Sequence, residues 1–459
     1  MTDPPPTSLR LLSLNCWGLK FLSAHRAARF THIAHLLTTA SPVPDIVCLQ
    51  EIWTQADYTI IRAATSTLLP HAKFYYSGIF GGGLAILSRY PIVESSMFGY
   101  PLNGRPTAFF RGDWFVGKGV ACARVQLPPS DPPRKTDTLE VFCTHLHAPY
   151  EPEDRDTYIC HRTAQAWEIA KKMRHAAERG HLVVGMGDFN MIPLSLAHRL
   201  IEGHAPVRDV WRVVYPDSAI GSSFNRQEKV RERKVPTARE AVEEHGATCD
   251  SRFNTWRWSK QHQKDLGKGR DRVVDPEEED PHSQRLDYIF FGGQGGWEVR
   301  DVNVGMMERE PTTRCSLSDH FSVEATVERV EAVAESDDEA GALRQGLPVE
   351  TYDEILDIIK GYEARERQQR RWRLGHFIAQ VVVTIGCLTA IWWSPRNFVA
   401  FLLMLLSSLG LTAGVIDGLI GGLFVGSELR ALREFEWEIW NAKRLVEGRK
   451  GSEGYELKD

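Results

Sequence analysis

Short apolar runs alternate with amphipathic segments along the first two thirds of the chain. The runs are rich in Val, Leu, Ile and Phe and are bounded by polar residues or glycine, which is typical of buried strands. Arg26–Leu37 and Tyr58–Leu69 have apolar residues at helical spacing, and Asp154–Arg179 predicts a long amphipathic helix. The predicted strands are Leu9–Trp17, Asp45–Trp53, Phe74–Tyr76, Leu84–Ser88, Val116–Val125, Thr138–His147, Leu182–Asn190, Arg285–Phe291 and Ser318–Val327. Strands that first alternate with helices and then follow one another predict an α/β fold of two sheets sandwiched between helices.

The region from about 221 to 283 interrupts this pattern, because it is very polar and contains the charge runs EKVRERK and DPEEED. Such a composition cannot bury much apolar surface. We therefore predict a polar, partly flexible insertion, within which Thr248–Trp258 returns to the sheet.

The pattern changes again after Val330, where residues 331–348 predict an acidic linker and residues 349–373 a helix with a basic end. Two apolar runs follow, of 17 and 28 residues, Phe377–Trp393 and Phe398–Val425. Since about 20 apolar residues cross a bilayer, residues 374–426 predict a two-helix transmembrane hairpin. Its basic flanks place both ends in the cytosol. Residues 427–459 predict an amphipathic cytosolic tail. The alternative, a buried hairpin of a soluble domain, is disfavoured because nothing nearby is long enough to cover it.

Glycine recurs at every fourth position of the second apolar run, which places a smooth stripe on one helix face: Gly410, Gly414, Gly418, Gly422 and Gly426. Small residues at this spacing let two helices approach closely. The sequence leaves the partner open between the first apolar run and a second copy of the chain, which would form a homodimer. The basic flanks of the hairpin also predict attraction to anionic phospholipids.

Composition narrows the function classes. The chain has 459 residues, a net charge of −5 and eight scattered cysteines without CxxC spacing. The charge provides no global basic field, so we expect no nucleic-acid partner. The polar, proline-rich N-terminus has no apolar signal-peptide core, and together with the cysteine pattern it predicts reduced thiols and a catalytic part that faces the cytosol. We expect residues 1–330 to form the catalytic domain.

Polar residues recur at the C-terminal ends of the predicted strands. They are Asn15, Glu51, His145, Asp188 with Asn190, Asp287, and Asp319 with His320. Each residue alone could be an ordinary turn former, helix cap or edge-strand histidine. Their conjunction predicts that the strand ends converge on a common cleft, where carboxylates, amides and imidazoles suit phosphate chemistry with a metal.

The ordered motifs LNCW, LQEIW, THLHA, GDFN, RLDYIFF and SDHF resemble the endonuclease/exonuclease/phosphatase superfamily over roughly Leu9–Val327. The resemblance implies a DNase I-like four-layer α/β sandwich. The segment GDWFVGK, Gly112–Lys118, looks like the P-loop-like segment of neutral sphingomyelinases. The membrane hairpin after the catalytic domain is similar to that of the fungal inositol phosphosphingolipid phospholipase C branch.

The residue types indicate how such a site would work. A hard divalent cation neutralises the anionic oxygens of a phosphodiester, and here Glu51 supplies the ligand charge while Asn15 and Asp319 hold the water shell of the ion. The oxygen-rich set favours Mg²⁺, with Mn²⁺ as a substitute. His320 is the expected general base.

By resemblance, Asp287 fixes the tautomer of the base. Asp188 and Asn190 would position the attacking water and the phosphate oxygens, and His145 would bind the phosphoryl group or protonate the leaving alkoxide. The sequence leaves open whether Asp188 or His145 is the general acid.

The segment Gly112–Lys118 fits the pattern G-x-x-x-x-G-K, but Gly119 stands where a nucleotide-binding loop has Ser or Thr, and a strand follows rather than a helix. We therefore exclude nucleotide binding. By resemblance, Asp113 and Lys118 form a pair in which Lys118 contacts substrate or an activating lipid. The alternative is a glycine-rich hairpin with surface charges.

The resemblance implies a membrane-anchored, Mg²⁺-dependent phospholipase C that hydrolyses sphingophospholipids, inositol phosphosphingolipid or sphingomyelin, to ceramide and a phosphorylated head group. We expect it in the endoplasmic reticulum or mitochondrial membrane, with the catalytic domain and both termini cytosolic. An inositol-polyphosphate phosphatase or a tethered nuclease of the same fold is the alternative enzyme, and a catalytically dead membrane scaffold is the alternative without catalysis.

Overall fold

The computed structural model of the protein describes residues 4–151, 155–330 and 346–448. The described chain divides into two compact units. The first is drawn from 1–100, 115–156 and 165–346, and the second from 101–114, 157–164 and 347–459. The predicted catalytic boundary at residue 330 does not coincide with this division, because 101–114 and 157–164 group with the C-terminal helices.

Twelve strands are formed by the described residues of the first unit: β1 Ser8–Asn15, β2 Ile46–Gln50, β3 His71–Tyr75, β4 Leu84–Ser88, β5 Ile92–Gly99, β6 Gly119–Gln126, β7 Thr138–His145, β8 Leu182–Asp188, β9 Arg208–Asp209, β10 Asp287–Gly292, β11 Trp297–Gly305 and β12 Ser322–Arg329. The α-helices of the described chain are α1 Arg26–Thr39, α2 Gln55–Thr65, α3 Asp113–Val116, α4 Ile159–Glu178, α5 Leu196–His204, α6 Val210–Val214, α7 Arg226–Val230, α8 Ala238–Glu243, α9 Lys260–Leu266, α10 Val349–Ile391, α11 Asn397–Leu419 and α12 Val425–Val446.

The strands form two mixed six-stranded sheets, with the orders β11-β12-β1-β2-β4-β3 and β5-β6-β7-β8-β10-β9. Each sheet contains one parallel pair, β1 with β2 and β7 with β8, and its other pairs are antiparallel. Within a parallel pair the two C-terminal ends lie at the same edge.

Side chains along β1 point alternately to the two faces of its sheet, and this alternation explains how the sheets and helices form separate layers. Leu9 and Leu11 point into the core between the two sheets, whereas Leu12 and Leu14 point the other way and pack with α1 and α2. On the second sheet, Met173 of α4 packs over Gly185. The predicted DNase I-like four-layer α/β sandwich is therefore confirmed.

The prediction that all site residues follow C-terminal strand ends was wrong for three of them. Asp287 is the first residue of β10 and pairs with Asp188, the last residue of β8. Asp319 and His320 precede β12, which is antiparallel to β1. They reach the predicted edge because the start of an antiparallel strand lies beside the end of its neighbour.

Several predicted elements have different bounds. The strand predicted at Val116–Val125 begins at Gly119, because Val116 ends the short helix α3. The segment Thr248–Trp258 forms bridges at Cys249 with Gln284 and His320 and then a short 3₁₀ helix, instead of a strand. The sequence pattern missed β5, β9 and β11. Residues 152–154, 331–345 and 449–459, which include the predicted start of α4 and most of the acidic linker, lie outside the described residues.

The polar insertion contains three α-helices, each begun by a side chain that accepts a hydrogen bond from the first turn. The capping residues are Asn225 for α7, Thr237 for α8 and Ser259 for α9. The insertion therefore has regular structure despite its composition. Its partly flexible character stays a prediction.

In the second unit, α10 continues from the basic segment through the first apolar run without a break. A π-helical turn, Ile420–Phe424, joins α11 to α12. Within the described residues, two helical stretches could cross a membrane by length and apolar composition, Val349–Ile391 and Asn397–Val446.

The glycine stripe packs against the first apolar run. A Cβ at Gly414 would lie 2.7 Å from Gln380 Cβ, and one at Gly418 would lie 3.0 Å from Phe377 Cγ. On the same interface, Asp417 contacts Arg373 and lies 2.7 Å from His376 Nδ1. A homodimer through the glycine-striped helix stays a prediction, and it would have to use a face such as that of Gly426, which has no heavy atom within 4 Å of an added Cβ.

We predict that Gly187→Ala lowers the free energy of unfolding by about 2 kcal/mol or more. Gly187 has φ +155°, and a Cβ there would lie 2.0 Å from Thr144 O, so the two strands would have to separate. The measurement is the midpoint of thermal unfolding of the detergent-purified protein.

The matched control is Gly99→Ala, where an added Cβ has nothing within 4 Å. We expect its effect to stay within about 0.5 kcal/mol. Equal midpoints for the two variants would contradict this account of the β7–β8 contact.

Candidate active site

Asp188, at the end of β8, is the centre of the candidate site. Its Oδ2 accepts a hydrogen bond from Asn15 Nδ2 at 3.0 Å, and its Oδ1 accepts one from the backbone N–H of Asn190 at 2.9 Å. His145 Nε2, at the end of the neighbouring strand β7, lies 3.5 Å from Asp188 Oδ2. Asp188 is 2% exposed, so these contacts form in a largely dry environment.

Asn15, at the end of β1, joins the two sheets. Its Nδ2 also donates to Glu51 Oε1 at 3.1 Å, and its Oδ1 accepts from Trp17 N–H at 3.0 Å. One neutral amide therefore lies between the carboxylates of Glu51 and Asp188. Because an amide donates without adding charge, it separates two anions that would otherwise repel each other.

Two of the predicted site residues have left-handed backbone conformations, Glu51 with φ +56° and Asn190 with φ +46°. Such a conformation costs about 1–3 kcal/mol for a residue other than glycine and is found more often at functional sites. At Asn190 the turn brings Nδ2 to 3.1 Å from Leu146 O and the backbone N–H to Asp188. The left-handed backbone conformation at Asn190 is thus associated with the placement of polar groups at this edge of the sheet.

His320 forms the second part of the site. Its Nδ1 lies 2.8 Å from Asp287 Oδ2, which also accepts a hydrogen bond from Thr248 Oγ1 at 2.6 Å. The opposite ring nitrogen, Nε2, lies 4.0 Å from Asp188 Oδ2. The buried Asp287 carboxylate therefore orients the ring so that Nε2 faces the Asp188 cluster.

The pKa shifts distinguish the two histidines. Burial lowers the pKa of His145 well below its ordinary value, so this ring is neutral near pH 7. Burial also acts to lower the pKa of His320, but the Asp287 carboxylate and the Cys249 side chain together outweigh it and raise the pKa well above its ordinary value. Burial, followed by repulsion from Asp287, raises the pKa of Asp188 to about 7. A carboxyl group with this pKa can carry a proton at neutral pH.

A divalent cation fits the oxygen-donor set around Glu51. Burial raises the pKa of Glu51, and the Asp319 carboxylate raises it further, so two anions lie close together and the positive charges of His320 and Lys118 offset this effect only in part. Asp188, Asp287 and His320 form another group whose ligand atoms all lie within 4.8 Å of one another. In that group the His320–Asp287 contact is already a hydrogen bond, which an ion would have to replace. The oxygen donors around Glu51 therefore suit a hard cation better.

Lys118 is buried and lies immediately before β6. Lys118 Nζ donates to Leu146 O at 3.2 Å and lies 3.4 Å from His145 O, directly beside the strand that carries His145. Asp113 begins α3 in the second compact unit. The pairing of Asp113 with Lys118 stays a prediction. Strand β6 follows Lys118 at once, in agreement with the exclusion of a nucleotide P-loop.

Sequence reasoning missed three residues whose side chains contact residues of the candidate site. Thr248 donates to Asp287, Ser318 Oγ donates to Asn15 O at 2.6 Å, and Trp53 Nε1 lies 3.5 Å from Glu51 Oε2. Ser318 lies in the motif SDHF and Trp53 in the motif LQEIW. Their position beside site residues in these motifs could have indicated that they contact the site. Thr248 lies in the polar insertion, where no local pattern marks it.

Comparisons with known proteins agree with this geometry. The family model described as the endonuclease/exonuclease/phosphatase family matches residues 12–320. The chain belongs to this family. Its predicted site residues lie in the matched region, and the prediction of a phosphoric diester hydrolase is confirmed by this family together with the relatives described next.

Among similar proteins, the inositol phosphosphingolipids phospholipase C of Schizosaccharomyces pombe is 38% identical over 95% of this chain and 95% of its own length. The enzyme of the same name from Saccharomyces cerevisiae is 30% identical over 96% and 91%. Sphingomyelin phosphodiesterase 2 of Rattus norvegicus is 37% identical over 44% of this chain and 46% of its own length. These relatives confirm the predicted branch of the family.

We predict that Thr248→Val lowers kcat/KM by about tenfold to a hundredfold. The variant removes the hydrogen bond to the buried Asp287 carboxylate, and such a bond to a charged group contributes about 1.5–3 kcal/mol. The measurement is the rate of phosphodiester hydrolysis by the detergent-purified enzyme.

Thr248→Ser is the matched control, because it keeps the hydroxyl group. Wild-type kcat/KM in Thr248→Val would contradict a role for this hydrogen bond in orienting His320 through Asp287.

Proposed function

We propose that this protein is a membrane-anchored, Mg²⁺-dependent phospholipase C that hydrolyses sphingophospholipids to ceramide and a phosphorylated head group. The observation that carries the proposal is the His320–Asp287 pair, in which the opposite ring nitrogen of His320 faces Asp188. This geometry suits activation of a water molecule beside a carboxyl group.

The substrate class rests on the relatives. Two enzymes named inositol phosphosphingolipids phospholipase C align over more than nine tenths of this chain, so the similarity covers the C-terminal helices as well as the catalytic residues. The chain has a net charge of −5, which disfavours the alternative of a tethered nuclease.

In the proposed reaction, the neutral form of His320 takes a proton from the attacking water at Nε2 while Asp287 and Thr248 hold the ring. Because the pKa of His320 is raised, this step is favoured as the pH rises. A new bond forms between the water oxygen and phosphorus, and the bond between phosphorus and the ceramide oxygen breaks. The electron pair of that bond stays on the ceramide oxygen, which takes a proton from Asp188 or His145. The raised pKa of Asp188 favours it as the donor.

The other residues would position the reacting groups. Asn190, whose backbone contacts Asp188, would hold the phosphate oxygens and the water with its side chain, and Lys118 would add positive charge behind His145. A Mg²⁺ or Mn²⁺ ion held by Glu51, with Asn15 and Asp319 beside it, would neutralise the anionic oxygens of the phosphodiester.

The C-terminal helices would anchor the enzyme in the membrane that contains its substrate. Their apolar stretches are long enough to cross a bilayer, and basic residues flank both of them. We place the catalytic part and both ends on the cytosolic side, in the endoplasmic reticulum or mitochondrial membrane, with anionic phospholipids as activators. Anchoring raises the effective concentration of lipid substrate at the site.

We predict that His320→Ala lowers turnover of inositol phosphosphingolipid by about 10²–10⁴-fold, because the general base is lost. The control is His262→Ala, whose imidazole is exposed in α9, and it should keep wild-type turnover. The measurement is release of labelled head group by the purified protein, with thermal unfolding as a check of folding. Near-normal hydrolysis by His320→Ala would refute the mechanism.

The same assay tests which substrate the enzyme hydrolyses and whether hydrolysis requires a metal ion. We expect hydrolysis of inositol phosphosphingolipid, sphingomyelin or both, little action on DNA or inositol polyphosphate, loss of activity in chelator and recovery with Mg²⁺. Preferred hydrolysis of DNA or inositol polyphosphate would replace the proposal with the corresponding alternative, and unchanged activity in chelator would exclude the metal.

We predict that the turn between the apolar helices is lumenal. In sealed microsomes, a membrane-impermeant maleimide should label Glu434→Cys directly and Ser394→Cys only after detergent is added. The wild-type chain gives the background, since its cysteines in the described segments are buried or half-buried. Direct labelling of Ser394→Cys would contradict the hairpin.

A further inference from the structure

A short closed loop in the second unit carries two exposed phenyl rings. Residues 104–114 return on themselves, since a Cβ added at Gly104 would lie 2.8 Å from the backbone nitrogen of Trp114. Phe109 and Phe110 lie halfway along this loop and are 49% and 75% exposed. Their ring centroids are 6.0 Å apart in an edge-to-face arrangement. The two rings therefore form one apolar projection, and its contact with water is unfavourable.

The remainder of the loop is packed and hydrogen-bonded. Arg105, Pro106 and Thr107, which precede the rings, are buried. After the rings, the N–H of Gly112 donates to Phe109 O at 3.2 Å, and Gly112 has φ +82°, a backbone conformation that favours glycine. The loop therefore presents the two rings in a defined position.

Two contacts join this loop to the ends of the apolar helices. Arg373 Nη2, just before the first apolar run, donates to Thr107 O at 3.1 Å. The ring of Trp114 packs against that of Phe424, at the end of the second apolar run, with 4.6 Å between the centroids. These two helix ends lie side by side, since a Cβ at Gly421 would lie 3.0 Å from Arg373 Cβ. The loop is therefore held where both apolar runs end on the same side.

Exposed tryptophans mark the limits of the first apolar run. Trp372 is 70% exposed directly before Arg373, and Trp392 is 86% exposed at the other end of α10. The helix rises about 1.5 Å per residue, so the roughly 20 residues between them span about 30 Å, the thickness of the hydrocarbon core. Tryptophan is enriched at both membrane–water interfaces. The hydrogen bond from Arg373 to Thr107 therefore holds the loop at the level of one interface.

We propose that Phe109 and Phe110 insert into the lipid at the cytosolic interface and form a membrane contact in addition to the two spanning helices. This inference rests on the proposed membrane anchoring. Exposed Arg111 follows the rings and suits the anionic head groups of that surface. A lipid surface fits better than a second copy of the chain, because the loop is joined to the helix ends at the interface. Since the loop leads directly into Gly112–Lys118, the contact would keep the start of that segment at the lipid surface.

The test uses the full-length protein in vesicles of phosphatidylcholine and phosphatidylserine, with the fluorophore NBD attached to Phe110→Cys. The vesicles contain lipids that carry a nitroxide quencher either near the ester end or near the methyl end of the acyl chain. We expect the ester-end nitroxide to quench the emission at position 110 at least twofold more than the methyl-end nitroxide. The wild-type chain gives the background labelling, since its cysteines in the described segments are buried or half-buried.

Two further labelled positions are the controls. Val273→Cys replaces an apolar side chain of the first unit that is 90% exposed, and neither nitroxide should quench it. Ile385→Cys lies midway along the first apolar run at a residue that is 60% exposed, and the methyl-end nitroxide should quench it most. Adding Phe109→Ser to the labelled Phe110→Cys protein removes the second ring and should weaken the quenching at least twofold.

The Ile385→Cys control separates this inference from the proposed anchoring. Quenching at position 385 without quenching at position 110 would overturn the inference and leave the anchoring intact. No quenching at either position would refute the anchoring and the inference with it. A blue-shifted emission at position 110 that neither nitroxide quenches would indicate a protein contact, such as a second copy of the chain, and would overturn the inference. Unchanged quenching after Phe109→Ser, or equal quenching in Val273→Cys, would also overturn it.

Discussion

The hydrogen bonds of the Asn15 amide are the interaction on which the rest of the site depends. Asn15 ends a strand of one sheet, and its Nδ2 reaches Asp188 at the end of a strand of the other sheet while also contacting Glu51. Because a neutral donor lies between the buried carboxylate of Asp188 and the partly buried carboxylate of Glu51, the catalytic edges of the sheets can meet without direct repulsion between the anions. The positions of Glu51, Asp188 and the histidines around them follow from this contact.

The packed sandwich supplies the rigidity that this arrangement requires. Residues of β2 and β8 are buried along their full lengths, so both faces of each strand are fixed by packing. That packing offsets the backbone strain at Glu51 and Asn190. Asp287 begins β10 and His320 lies just before β12, and these strands run antiparallel to β8 and β1, which brings the base to the carboxyl group.

Sequence reasoning identified the main groups of the site because each lies in a short motif at the edge of an apolar run. It gave Asp287, Asp319 and His320 the wrong strand ends, since strand direction depends on pairing between residues far apart in the chain. It could not assign a role to Thr248, which has no motif and contacts Asp287 only through the fold. The glycine stripe was readable as a packing face, but only the structure showed that Gln380 and Phe377 cover it.

The central claim, that His320 directs water to phosphorus and that the ceramide oxygen leaves, is tested most directly by hydrolysis in water enriched with ¹⁸O. The account predicts one ¹⁸O atom per turnover in the phosphate of the released head group and none in ceramide. Incorporation of ¹⁸O into the ceramide hydroxyl group would show cleavage of the carbon–oxygen bond and would contradict the mechanism.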